Sequence, residues 1–172
     1  SVQFAPDNPI WHDFNTLNEY IRRCQSLLQS GQPANDILVY FPIHDVWTKT
    51  DGQSLPRMFG VHHADDWLMD SPFGHMIKDL WSSGYTFDYI SDLKLEELKV
   101  RKKKVLAGKN AYRAILVPEC ESMPLHTLEC LQELAGKGIP VVFVEDLPED
   151  VPGLYQLEER RQKLSDLKSS IR

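Results

Sequence analysis

At 172 residues the chain fits one domain and is long enough to bury a full core. Its 42% hydrophobic and 26% charged residues, without any low-complexity tract, are those of an ordinary globular protein. A net charge of −6 and a pI near 5.5 argue against nucleic acid or an anionic membrane as partner, and no apolar run approaches the roughly eighteen residues that membrane insertion needs.

Residues 1–12, with Pro6 and Pro9, read as a linker or an arm on a neighbour, and one α/β domain is expected over residues 13–172. The chain opens at Ser1 without an initiator Met, which suggests a processed product or a segment cut from something longer. Asp13 or Asn15 can cap a helix from about Phe14 to Ser30, where Leu17, Tyr20, Ile21, Cys24 and Leu28 recur at helical spacing until Gly31. Asp36 to Phe41 reads as the first strand, with Ile37 to Phe41 an unbroken apolar run, the mark of a buried parallel strand. It ends at Pro42 and releases a connection of roughly thirty residues, against a usual ~4–6. Ser71-Pro72 starts the next helix, since Pro fits the first helical position, and Phe73, Met76, Ile77, Leu80 and Trp81 form its buried stripe.

Phe87 to Ile90 reads as the second strand, followed by a short helical piece around Leu93 to Leu98. The basic run Lys99 to Lys104 reads as a solvated turn or edge rather than a binding patch, and Lys103 to Leu106 as a small hairpin or edge strand. Tyr112 to Val117 is the third core strand, broken by Pro118; Pro124 opens a helix closed by Gly136 and Gly138; Ile139 to Val144 is the fourth strand. From about Leu154, the spacing Leu157, Leu164, Leu167, Ile171 predicts a last helix. Strands joined by helix-length crossovers pair in parallel, and those crossovers are right-handed. The expected fold is a three-layer α/β sandwich of flavodoxin-like type with a mainly parallel sheet.

The chain lacks a GxGxxG or GxxxxGK[ST] loop and a GxSxG elbow, and no cofactor is expected. Cys24, Cys120 and Cys130 are odd in number and lack CxxC spacing, so neither a disulfide framework nor a structural zinc site follows. From Ala114 to Glu145 the strand-helix-strand order resembles class I glutamine amidotransferases. In them the nucleophilic Cys sits at a tight turn directly after the strand corresponding to Ile139–Val144. Here that turn reads Glu145-Asp146, and Cys120 lies instead between Glu119 and Glu121, whose charges disfavour a thiolate. A thiol enzyme of that superfamily stays as an alternative.

The connection after Pro42 is unusually rich in Trp and His. His44, Asp45, Trp47, His62, Asp66 and Trp67 supply aromatic platforms and hydrogen-bonding groups, the chemistry that recognises a sugar's apolar ring face and hydroxyls. The competing reading is that both Trp rings pack against the protein, because large aromatics more often serve burial. His62-His63 beside Asp65-Asp66 also suits a transition metal, but adjacent side chains of an extended segment diverge, and no metal site is assigned.

Several blocks in order resemble bacterial α-L-rhamnosidases of glycoside hydrolase family 106. They are Tyr20 to Pro33, Asn35 to Tyr40, Pro42 to Trp47, Phe87 to Asp92 and Tyr112 to Pro118, within a span from Ile10 to Pro148. The resemblance implies an amidotransferase-like α/β domain that follows a catalytic barrel, as in related beta-galactosidases. On that basis the chain is a non-catalytic accessory domain whose partners are the barrel of the same parent chain and carbohydrate. Family members are exported to the periplasm or beyond. No catalytic residue is carried over, since the family's catalytic carboxylates map outside these positions. A purely structural oligomerisation domain is the remaining alternative.

Overall fold

A computed structural model describes residues 6–48 and 64–171, with the side chain of Asp66 also left out. The chain divides into two compact units, Ser1–Pro33 and Ala34–Arg172, a division that falls inside the domain expected over residues 13–172. In the first unit a 3-10 turn, Trp11–Asp13, leads into helix α1 (Phe14–Ser30), with the bounds its spacing predicts. Asp13 occupies the N-cap position without a side-chain capping bond. No residue of α1 is buried.

The second unit carries seven described strands: β1 (Ile37–Tyr40), β2 (Phe87–Ile90), β3 (Lys99–Arg101), β4 (Lys104–Ala107), β5 (Asn110–Tyr112), β6 (Ala114–Val117) and β7 (Val141–Phe143). Its helices are α2 (Ile43–Thr48), α3 (Pro72–Ser82), α4 (Asp92–Leu95), α5 (Leu125–Gly136) and α6 (Leu157–Ser170). The main sheet has the order β2-β1-β6-β7 and is parallel throughout. Counting only its own strands, that is second-first-third-fourth, the doubly wound order of flavodoxin-like folds. Helices flank it, so the three-layer α/β expectation holds.

Alternate residues of each strand face opposite layers. Leu38, Tyr40, Ile115 and Val117 join Leu128 and Leu131 of α5 and Leu164 of α6 in the larger core. Val39 on the other face packs with Phe73, Met76 and Ile77 of α3. Ser71 caps α3, its Oγ accepting from Gly74 N at 3.1 Å. A Cβ at Gly74 would collide with the carbonyl of Leu68, so the preceding turn can approach α3 this closely only over glycine.

Three expectations are corrected. The segment Tyr112 to Val117, expected as one core strand, is two strands in two sheets, because Arg113 N and Ala114 N both donate to Asp36 O, at 2.7 and 3.2 Å, and turn the chain from β5 into β6. Trp81 belongs to no buried stripe and is 73% exposed. The connection after Pro42 is not wholly loop, since α2 begins at the next residue and a π-helical turn, Asp65–Met69, precedes α3. The basic run does form a solvated turn: Lys102 and Lys103, with φ of 51° and 57°, link β3 to β4. Positive φ at both central residues is what a two-residue hairpin of the primed type requires.

Candidate functional site

Ligands of open α/β sheets gather beyond the carboxyl ends of the strands. There, Pro42 ends β1 and α2 carries His44, Asp45 and Trp47 within a single turn. Asp45 points inward and is only 6% exposed. Its two carboxylate oxygens accept from Glu121 N and Ser122 N, each at 2.7 Å, which clips α2 to the turn after β6. His44 and Trp47 remain outside that clip. Their rings meet edge to face at 5.3 Å, and Trp47 is 49% exposed.

Asp92, just past β2, organises the floor beneath them. Its Oδ1 accepts from Tyr40 Oη at 2.8 Å and from Thr127 Oγ1 at 2.6 Å, while Oδ2 lies 3.8 Å from His44 Nε2. Burial, and then the Asp92 charge, push the Tyr40 phenol far above its ordinary range, so it stays a neutral donor. Sequence reasoning missed this network. The available signal was a tyrosine in an otherwise apolar buried strand, because a buried phenol needs a hydrogen-bond partner.

A recess of about 410 Å³ is lined by residues that include Phe41, Leu68, Phe73, Tyr89, Ser91 and Lys94. Phe73 meets Phe41 edge-on at 5.0 Å and Tyr89 at 5.5 Å. Trp67, half-buried, stands in the π-helical turn that supplies Leu68. The structure thus groups His44, Asp45 and Trp47 on α2 and places Asp66 and Trp67 on the turn before α3. His62 lies outside the described residues.

Cys120 is buried, and burial followed by Glu96, Glu133 and Glu129 pushes the Cys130 thiol up. Both features keep a thiol inert. Among the described residues, no three His, Cys, Asp or Glu side chains converge as metal ligands, and no helix is long and apolar enough to cross a membrane. Glu145, two residues past β7, has a φ of 69°. A carboxylate therefore stands in a left-handed position.

No protein-family model matches the chain. It is 24% identical over 136 residues to a protein of Formosa agariphila named "Putative beta-glucuronidase", an alignment covering 78% of this chain and 10% of that protein. A beta-galactosidase structure from Bifidobacterium adolescentis is similar over 63% of this chain and 39% of its own, with 16% identity and a TM-score of 0.35. The chain thus spans about a tenth of the length of the curated relative it matches.

Proposed function

We propose that this chain is a non-catalytic accessory α/β domain of a bacterial glycoside hydrolase, α-L-rhamnosidase-like. It braces the catalytic barrel of the same parent chain and lends the 42–70 segment to one wall of the carbohydrate cleft. The observation that carries the reading is the alignment over most of this chain with a tenth of a protein named for a glycosidase. Local chemistry supports it. Glycoside hydrolysis generally needs two carboxyl groups flanking the scissile bond, whereas Asp45 is committed to two backbone amides and Asp92 to two hydroxyls. Neither is held as a free acid or nucleophile.

Trp47 then offers a face to a sugar ring, His44 and the Trp67 turn flank it, and Asp45 acts by holding α2 in place. By the same reading the parent is exported to the periplasm or beyond. The test has two arms. The purified 172-residue protein should release nothing from aryl α-L-rhamnosides or aryl β-D-glucuronides; release by this chain alone overturns the assignment. In the longer protein, Trp47→Ala or Trp67→Ala should raise KM or lower kcat roughly tenfold, and unchanged kinetics in both would remove the cleft role.

A further inference from the structure

The cations of this chain are unevenly spread. Residues 99–109 hold six of its 19 Lys and Arg residues and none of its 25 Asp and Glu residues, so the rest of the sequence sets 13 cations against 25 carboxylates. The structure makes this stretch one hairpin, β3 and β4, with the turn that leads into β5. Val100 pairs with Val105 and both join the larger core, so alternation turns Lys99, Arg101 and Lys104 to the opposite face. Arg101 and Lys104 stand directly across from each other, and Lys102 and Lys103 continue the row around the tip. A two-residue turn of this type favours Asn-Gly, and Lys at both left-handed positions is strained. Turn formation therefore does not account for lysines there.

The hairpin lacks counter-charge. Arg22, Lys94, Arg113, Lys137, Arg161 and Lys163 each meet a carboxylate, whereas none of the six hairpin cations does so among the described residues. Other parts of the chain cannot supply it. The first unit carries Asp7, Asp13 and Glu19 against Arg22 and Arg23, and Glu19 already accepts from Arg22. Residues 49–63 carry Asp51 against Lys49 and Arg57. Whatever covers the hairpin must bring several anions, because desolvating cations without partners is costly. Protein interfaces have apolar or aromatic centres and are poor in Lys, whereas the valines of this hairpin are turned into the domain. The acidic remainder of the chain repels a broad polyanion such as a nucleic acid duplex. A single narrow polymer strand with spaced anions, whose hydroxyls also take hydrogen bonds, suits a row of this width.

We propose that the β3–β4 hairpin is a docking strip for an acidic polysaccharide, one bearing carboxylates or sulfate esters. Lys99, Arg101 and Lys104 meet its anions along the strands, and Lys102 and Lys103 meet them at the tip. The strip holds the polymer to the domain and performs no chemistry. This rests on the carbohydrate reading above, but it uses no residue of the 42–70 segment, so the two can fail separately.

The experiment titrates the 172-residue protein, labelled with 15N, with length-matched oligogalacturonate, sulfated dextran, neutral dextran, oligoaspartate and an oligodeoxynucleotide. At least one acidic oligosaccharide should shift the amides of Arg101 to Lys104, and which one responds assigns carboxylate or sulfate. Neutral dextran should leave them unmoved, and binding should weaken about tenfold between about 0.05 and 0.3 M salt. Lys99→Gln with Arg101→Gln and Lys104→Gln should weaken it about tenfold as well. Lys102→Asn with Lys103→Gly should weaken binding about threefold yet raise the urea midpoint, since Asn-Gly relieves the turn; lost cations are thereby separated from lost fold. Lys137→Gln with Lys163→Gln, whose cations already meet Glu133 and Glu159, should bind like the native chain. The proposal is overturned if no acidic oligosaccharide binds or if the shifts fall elsewhere. Equally tight binding of oligoaspartate or the oligodeoxynucleotide overturns it too, and assigns the hairpin to a protein or a nucleic acid. Unchanged kinetics of Trp47→Ala in the longer protein would remove the cleft role alone and leave this result standing.

Discussion

Tyr40 and Val39 are neighbours on β1, each at 0% exposure, yet they face regions built to different rules. The Tyr40 side is closed by α4, α5, α6 and the small sheet, and the Tyr40 phenol and the Thr127 hydroxyl both donate to the Asp92 carboxylate. On the Val39 side, within the second unit, α3 packs over β1, while Val142 on β7 is 46% exposed. The closed side sets geometry, since a buried polar network tolerates few arrangements.

The largest test of that difference compares equivalent truncations on the two faces. Ile115→Ala, at a position with 0% exposure, should cost about 3 kcal/mol in urea unfolding. Val142→Ala on the adjacent strand should cost less than about 1 kcal/mol, because its side chain already meets water. Equal losses would show that Val142 is covered in solution. Next in size, Asp45→Ala removes both acceptors of the Glu121 and Ser122 amides and should cost about 2–3 kcal/mol. Asp45→Asn should recover part of that, because an amide oxygen can still accept from one of them.

The asymmetry between the faces also explains what the sequence reveals. Strands β1, β2, β6 and β7 were legible as apolar runs, and α3, α5 and α6 by spacing and caps, because those signals are local. Which apolar residues would be covered was not, since Trp81 and Val142 are as apolar as their buried neighbours. Only the neighbouring layer decides burial. At the site, the Trp and His enrichment after Pro42 singled out His44, Asp45 and Trp47, which the structure places together on α2. The partners of Asp45 and Asp92 lie 76 and 35 positions away, a separation that no local pattern encodes.

Two smaller effects probe the backbone and the network separately. Tyr40→Phe removes one hydrogen bond while Thr127 still donates to Asp92, and should cost about 1 kcal/mol. Glu145→Gly should instead stabilise the protein by about 0.5–1 kcal/mol, since a non-glycine residue pays for φ of 69°. Destabilisation there would mean that the Glu145 side chain makes a stabilising contact.

The smallest effect lies where the closed side is tied down. Residues 121–123 form a hub: Asp45 binds the amides of Glu121 and Ser122, Asp150 N donates to Glu121 O at 2.8 Å, and Met123 N donates to Asp150 O at 3.1 Å. Asp150 in turn pairs with Arg161 of α6. Hydrogen bonding from Arg161, aided by Val151 N, holds the Asp150 carboxyl at about 2 against an ordinary 3.8. Because the folded value is depressed, this contribution is present above the ordinary value and is lost as pH falls from about 4 towards 2. The pair is solvent-exposed, so the contribution is small. Urea midpoints at pH 4.5, 3 and 2 should fall more steeply for the native chain than for Arg161→Gln. Parallel slopes would mean that α6 is held by Leu157, Leu164 and Leu167 alone, and that the charge pair adds nothing to the closed face.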